Sequence, residues 1–455
     1  MTTLTNGNVE AIDTIVQAAR TALEPPALSV AVAVGGDVIF AKGYGMRNVG
    51  ESLPADADTV YNIASVSKQF AAAALMRLRE RGLVSLEERP STYLAWAKYP
   101  DQITLRHFLT HTSGIRDFCS LPEFDWLPFT EATPEQIARR SGIDLAFAPG
   151  EDWQYCNTTY VMLGALIERI AGCPYHEYIR REFFEPLEMT RTNGDELTRI
   201  LPNSARGYSR FSLGPWERAR DWHPDWEFTT GSVQSTVLDL TRWNAALRSG
   251  RVVRPEDYAE MTVPALLKDG TDTKYGLGLG VADVEGIKEV RHSGGLPGFS
   301  TLNATYPEIG IDIVVFANAD GVDSYYSIVR PILARLTGKK EIAGAQQPVE
   351  SKIQPLDERQ VLIWAQAALD GTLGDREPNE ALRDFLTARR VAALRNLSRF
   401  GAVRGVQLFE RYQRGARLSY GYRVELEHRL LDMMLTLRDG TTLEEIGFGV
   451  WYPET

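Results

Sequence analysis

Residues 64–70 read ASVSKQF, with Ser65 and Lys68 three positions apart where an Ala- and Leu-rich run begins. The run from Phe70 to Leu78, closed by Gly82, predicts a helix with Ser65 at its start and Lys68 one turn along on the same face. Taken alone the pair is a weak signal. Serine is a favoured helix cap because its hydroxyl accepts a hydrogen bond from an orphan backbone N–H, and a lysine on an exposed helix face is ordinary. The rest of the chain decides between a cap and a site.

The 455-residue chain is 44% hydrophobic and 24% charged, a globular composition long enough for two or three domains. A formal net charge of -11 and the absence of a basic block argue against a nucleic-acid-binding surface, which needs clustered Lys and Arg. No stretch approaches the ~18 apolar residues of a membrane span. The opening MTTLTNGNVEAIDTIVQAARTAL has neither a basic n-region nor an apolar h-region and reads as an amphipathic helix, so a cytoplasmic protein is expected. Cys119, Cys156 and Cys173 lack metal-ligand spacing and are too few for a disulfide framework; reduced thiols are expected.

Two β-rich runs, Ala27 to Val34 and Asp37 to Gly43, hinge at Gly35-Gly36 and predict a hairpin. A second strand-rich block comes late, in YGLGLGV, IKEVRHSGG and STLNATYPEIGIDIVVFAN, followed by a helix from Asp323 to Leu336. Helical patterns and long loops lie between. The economical arrangement is an α+β domain over 1–341: an antiparallel sheet of five or more strands from 1–80 and 270–341, with a helical part over 81–269 inserted. A polar linker is expected over 342–355, then a small α+β domain over 356–455, helices first and a meander after, with a curved sheet wrapping a helix.

Downstream, WQYCNTTY holds Tyr155 and Asn157 in a Y-x-N arrangement, and RHSGGLPGF holds His292, Ser293 and Gly294 as H-x-G at a strand end, followed by Gly295. The ordered set S-x-x-K, then S-D-N, then K-T-G marks β-lactamases and penicillin-binding proteins. With these motifs the sequence resembles the serine β-lactamase and penicillin-binding-protein superfamily, in its branch of class C β-lactamases, D-aminopeptidases, alkaline D-peptidases and family VIII esterases (peptidase S12-like). The resemblance runs from about 10 to 340 and includes NIASVSKQFAAAALMRL, TLRHFLTHTSGI, FAPGEDWQYCNTTYVMLGALIERIAG, STVLDLTRWNAAL and YGLGLGV. His292 stands where class C β-lactamases have Lys, as in many of the family's esterases and peptidases; this puts β-lactamase activity in doubt and leaves acyl transfer.

The resemblance implies a β-lactamase-like fold without cofactor or metal, acting through an acyl-enzyme. Ser65 would be the nucleophile, which must lose its proton to an adjacent base as it attacks. Lys68 and Tyr155 would form a coupled base pair, with Lys68 lowered in pKa by burial. Asn157 would bind substrate and orient Lys68; His292, Ser293, Gly294 and Gly295 would line the acyl group, His292 positioning a substrate carboxylate or the Tyr155 hydroxyl. The backbone N–H groups of Ser65 and Gly295 are the candidate oxyanion hole.

Other signals are weaker. His107 and His111 have zinc-ligand spacing on a helix, but no glutamate follows the first and no third ligand is evident, so the segment is read as structural. Cys156 points away from Tyr155 if the segment is extended. The aromatic run with Trp216, Trp222, His223, Trp226 and Phe228 is read as a pocket wall rather than core packing. The functional expectation is a serine hydrolase of a small amide, ester or short peptide, such as a D-amino-acid amide. The rivals are a promiscuous esterase with weak β-lactamase activity and a penicillin-binding sensor without turnover. The C-terminal domain would cap the site, restrict substrate length or mediate a homodimer.

Overall fold

The computed structural model describes residues 6–194, 201–339, 354–377, 379–414, 417–438 and 440–450. The chain forms two compact units, one of residues 1–208 and 218–342, the other of 209–217 and 343–455. The expected linker falls almost wholly outside the described residues.

The first unit is built on a seven-stranded antiparallel sheet. Its order is Leu53–Pro54, Asp37–Asn48, Ala27–Val34, Ile311–Ala317, Phe299–Tyr306, Ile287–Leu296 and Gly280–Val284. The first hairpin turns at Gly35 and Gly36, whose φ values of +63° and +96° lie in the left-handed region that glycine enters without steric cost. An early and a late strand of this unit meet at the sheet centre, where Ala27–Val34 pairs residue by residue with Ile311–Ala317. Both strands are buried almost throughout, so they read as near-continuous apolar runs rather than alternating ones.

Helix Lys68–Glu80 is buried on every side, and its Ala71 to Ala74 run lets neighbours close in all round. Phe70 packs on Trp243 with ring centroids 4.3 Å apart, and Trp243 Nε1 donates to Gln69 Oε1 at 2.8 Å. Trp243 is fully buried, so Trp243→Ala removes a whole ring and one of the two donors to Gln69 Oε1, the other being Asn303 Nδ2. The expected loss of unfolding free energy is about 3–5 kcal/mol, read by denaturant titration.

Three local expectations differ. The YGLGLGV run is not a strand until Gly280; Gly278 sits at φ +74°, where a Cβ would lie 2.8 Å from Ala72 Cβ. That segment turns so that it can press on the Lys68–Glu80 helix. The expected helix from Asp323 is a wider π-type turn at Tyr325–Val329 that leads into the helix Arg330–Thr337. At the S-x-x-K motif, Ser65 lies in a 3-10 turn, Ala64–Ser67, ahead of the α-helix rather than at its first residue.

In the second unit, helices Glu358–Asp370 and Ala388–Asn396 precede a four-stranded meander of Val403–Arg414, Arg417–Leu426, Leu430–Arg438 and Thr442–Val450, each strand beside the next. The Leu430–Arg438 strand alternates between buried and half-buried residues, and its buried face shares a core with Trp364 and Val361 of the first helix. Residues 209–217 group with this unit: Ser212 Oγ accepts from Phe448 N at 3.0 Å, and Phe211 meets Phe385 edge-on.

Candidate active site

The site begins in a strained turn. Ala64 has φ +48°, a left-handed conformation that costs a residue with a Cβ about 1–2 kcal/mol. It is held there by Asn62, whose Oδ1 accepts from Ala64 N at 2.7 Å and whose Nδ2 donates to Glu227 Oε2 at 2.8 Å. The strain aims Ser65 out of the turn and over the first residue of the helix.

Lys68 is fully buried, and its Nζ donates to Ser65 Oγ at 2.9 Å and to the Thr230 carbonyl at 3.0 Å. Burial pushes its pKa down to about 7, against the opposing pull of Asp117 and the thiols of Cys119 and Cys156. The lysine is therefore poised between its charged and neutral forms at neutral pH.

Tyr155 lies over Lys68, with Nζ 4.9 Å from its ring centre. Its hydroxyl is buried without a hydrogen-bond partner of standard geometry, and burial raises its pKa well above that of free phenol; the Ser65 side chain nearby pulls the other way. Serine, lysine and tyrosine thus meet in one place.

Asn157 opens the helix Asn157–Ala171 but does not bond Lys68. Its Nδ2 donates to Asp117 Oδ2 at 3.2 Å and to Cys119 Sγ at 3.4 Å, and its backbone N donates to Asp117 Oδ1 at 2.9 Å. The expectation that Asn157 orients Lys68 is corrected accordingly: the amide is turned towards Asp117. Burial raises the Asp117 pKa, opposed by these bonds and by Lys68.

His292 differs from expectation in its partners. Its Nδ1 lies 2.6 Å from the Ser293 carbonyl, which can only accept, so Nδ1 carries the proton and Nε2 accepts from the Tyr275 hydroxyl at 2.8 Å. Burial, with the Lys68 charge adding to it, pushes the imidazole pKa down to about 3. The ring is neutral and both nitrogens are engaged, so it does not serve as a cation for a substrate carboxylate, and it does not bond the Tyr155 hydroxyl.

The strand carrying His292 has an open edge. Gly280–Val284 pairs only as far as Arg291, so among the described residues no strand lies beside 292–296 on that side. Gly294 lies against the turn that carries Ser65: a Cβ there would sit 2.3 Å from Ile63 O and from Thr301 Oγ1, and 3.0 Å from Ala64 Cβ. At Gly295 a Cβ would meet nothing within 4 Å. One glycine permits strand-to-turn contact and the next leaves space.

Asp117, Thr230, Tyr275 and His111 are site neighbours that sequence spacing did not reveal. The spacing of His107 and His111 speaks only to a metal site and says nothing of His111 beside Tyr155, where the rings lie 4.3 Å apart. At Trp226 the expected pocket wall is corrected: the ring is fully buried with Phe118 and Leu127 as core packing. Trp222 meets Phe124 edge-on, and Phe228 lines a cavity of about 250 Å³ with Ala132 and Tyr175.

A two-ended antiparallel sheet with an inserted helical part, and a serine and lysine bonded at the start of its central helix, define the β-lactamase-like fold. Residues 12–334 match the Beta-lactamase family model, and the chain belongs to that family, within the serine β-lactamase and penicillin-binding-protein superfamily. It is 26% identical over 344 residues to penicillin-binding protein 4* of Bacillus subtilis (strain 168), spanning 72% of this chain and 76% of that protein. It is similar to a D-stereospecific amidohydrolase from Streptomyces sp., at 25% identity and TM-score 0.63, over 72% of this chain and 99% of that one. The octameric penicillin-binding protein homologue from Pyrococcus abyssi shares the fold over 97% of this chain and 98% of that chain, at TM-score 0.66 and 22% identity. Among the described residues, no helix is long and apolar enough to cross a membrane.

Proposed function

We propose that the chain is a serine hydrolase that cleaves a small amide or ester through an acyl-enzyme on Ser65, with a D-amino-acid amide or short D-peptide as its substrate class. The observation that carries this reading is the 2.9 Å bond from a buried Lys68, its pKa near 7, to Ser65 Oγ. Neutral Lys68 takes the serine proton as Oγ attacks the carbonyl, and Tyr155, facing both, carries a proton to the leaving amine or alcohol. The backbone N–H groups of Ser65 and Gly295 hold the oxyanion. Asp117 fixes Asn157, whose amide is a substrate contact.

The amide reading is supported by the likeness to the D-stereospecific amidohydrolase. The neutral His292, with both nitrogens occupied, favours acyl donors that carry no carboxylate beside the scissile bond. That same observation favours an esterase as the second reading and counts against β-lactam turnover.

The test uses a fluorophosphonate probe, a panel of p-nitrophenyl esters, D- and L-amino-acid amides, and a chromogenic cephalosporin. The wild type is expected to be labelled and to turn over repeatedly on neutral substrates, while Ser65→Ala is neither labelled nor active. Labelling without turnover would support a sensor; no labelling of the wild type would sink both.

A further inference from the structure

We infer that His111 is a positioning residue for Tyr155, holding the short segment that presents the phenol to Ser65 and Lys68. The inference rests on the reading of Tyr155 as a proton carrier given above. Tyr155 lies in an extended stretch ahead of the helix Asn157–Ala171, and no regular element flanks it on its N-terminal side. Such a segment needs other anchors.

His111 supplies anchors on both sides of the tyrosine. Its carbonyl accepts from Gln154 N at 3.0 Å, and its Nδ1 accepts from Cys156 N at 3.1 Å. The backbone groups immediately before and after Tyr155 are thus tied to one residue. The imidazole also packs against the Tyr155 ring with centroids 4.3 Å apart, and Tyr160 and Tyr275 lie on it at 5.1 and 4.7 Å. A ring held at its two neighbours and on its face has little freedom to swing.

The residue sits where this is geometrically costly. His111 ends the helix Leu105–Thr110 in a left-handed conformation, φ +60°, a place where glycine or asparagine is the usual choice. It is 1% exposed, and because Nδ1 accepts, the proton lies on Nε2, which has no hydrogen-bond partner. A buried donor left unpaired costs stability, so neither backbone preference nor polar satisfaction explains a histidine here. What it does satisfy is the Cys156 amide beside Tyr155.

His111→Ala, His111→Asn and Tyr155→Phe are compared with wild type on p-nitrophenyl butyrate, with melting temperature measured for each. Misplacing a catalytic group by 1 Å costs about 10²-fold, so His111→Ala is expected to lose about that factor in kcat with KM changed by less than about 3-fold. Asparagine tolerates the left-handed conformation, and its Oδ1 can stand where Nδ1 stands. His111→Asn is therefore expected to recover kcat to within about tenfold of wild type.

If His111→Ala melts lower yet, well below its melting temperature, keeps wild-type kcat, the residue is structural only and the inference is overturned. It is overturned equally if His111→Asn is as impaired as His111→Ala while melting like wild type. Tyr155→Phe separates the two levels of argument. If Tyr155→Phe retains wild-type turnover, the proton-carrier reading fails; if Tyr155→Phe is inactive and His111→Ala is not, only the positioning inference fails.

Discussion

Lys68→Met is expected to lose turnover by about 10³-fold and, at pH 6, to be more stable than the wild type. The first half follows from the geometry: Nζ is the group bonded to Ser65 Oγ, and a thioether takes no proton. The second follows from burial. The Lys68 pKa falls from 10.5 to about 7 on folding, a shift of roughly 3.5 units at 1.36 kcal/mol each, or about 5 kcal/mol held against the folded state when the lysine is charged. The attraction of Asp117 is already included in that pKa. Methionine of similar length removes this cost but leaves the Thr230 carbonyl without its partner, at about 1–3 kcal/mol, so the net gain below pH 7 is about 2–4 kcal/mol.

The sign of the pH dependence can be stated. Below pH 7 the lysine is protonated in both folded and unfolded chains, and the full cost is present. Between pH 7 and 10.5 the unfolded chain binds more protons than the folded one, so wild-type stability rises with pH. The stability advantage of the variant therefore shrinks by about 1.4 kcal/mol per pH unit across that window and reverses before pH 10.5, where only the unpaired Thr230 carbonyl remains against it, other groups cancelling in the difference. The same ionisation sets activity: wild-type kcat/KM is expected to climb as pH rises through about 7, when neutral Lys68 becomes available as a base. A variant that keeps turnover, or a stability difference flat from pH 6 to 10, would rule out a buried, ionisable base at Lys68.

How much of this site could be read beforehand depends on sequence distance. Ser65 and Lys68 sit within one turn, so their spacing alone places them together, and the Ala- and Leu-rich run after them predicts the helix; that it is buried all round is seen only in the structure. The sheet was legible because its two central strands are apolar throughout and the first ends in Gly35-Gly36. Asp117 reaches Asn157 across 40 positions and Thr230 reaches Lys68 across 162; no local period records such contacts. His292 shows a different limit. Its motif was visible, but the partner that makes it a neutral acceptor is Tyr275, in a glycine-rich stretch that reads as a strand and in fact turns. Residue type was legible there, protonation was not.

Gly294→Ala is expected to lose about 1–3 kcal/mol of stability and about 10²-fold in kcat/KM, although it adds a single methyl group. The Thr301 hydroxyl donates to Ile63 O at 2.8 Å, tying the neighbouring strand to the residue before the strained turn, and Gly294 lies against both atoms of that bond. A methyl 2.3 Å from each cannot be accommodated by a flexible side-chain end, because Ile63 O is backbone and Ala64 Cβ stands 3.0 Å away. The strand must move off by roughly 1 Å, breaking the Thr301 bond and opening the gap between Ser65 and the Gly295 N–H. The neighbouring glycine provides the control. An alanine at 295 meets nothing within 4 Å, so Gly295→Ala should fold within about 0.5 kcal/mol of wild type, and any loss of activity there reports on room for the acyl group. Melting temperature and kcat/KM on one neutral ester, measured for both variants, distinguish the cases. Were Gly294→Ala to match the wild type in both, the close approach of strand and nucleophile turn would have no part in catalysis, and the oxyanion hole would have to be sought elsewhere.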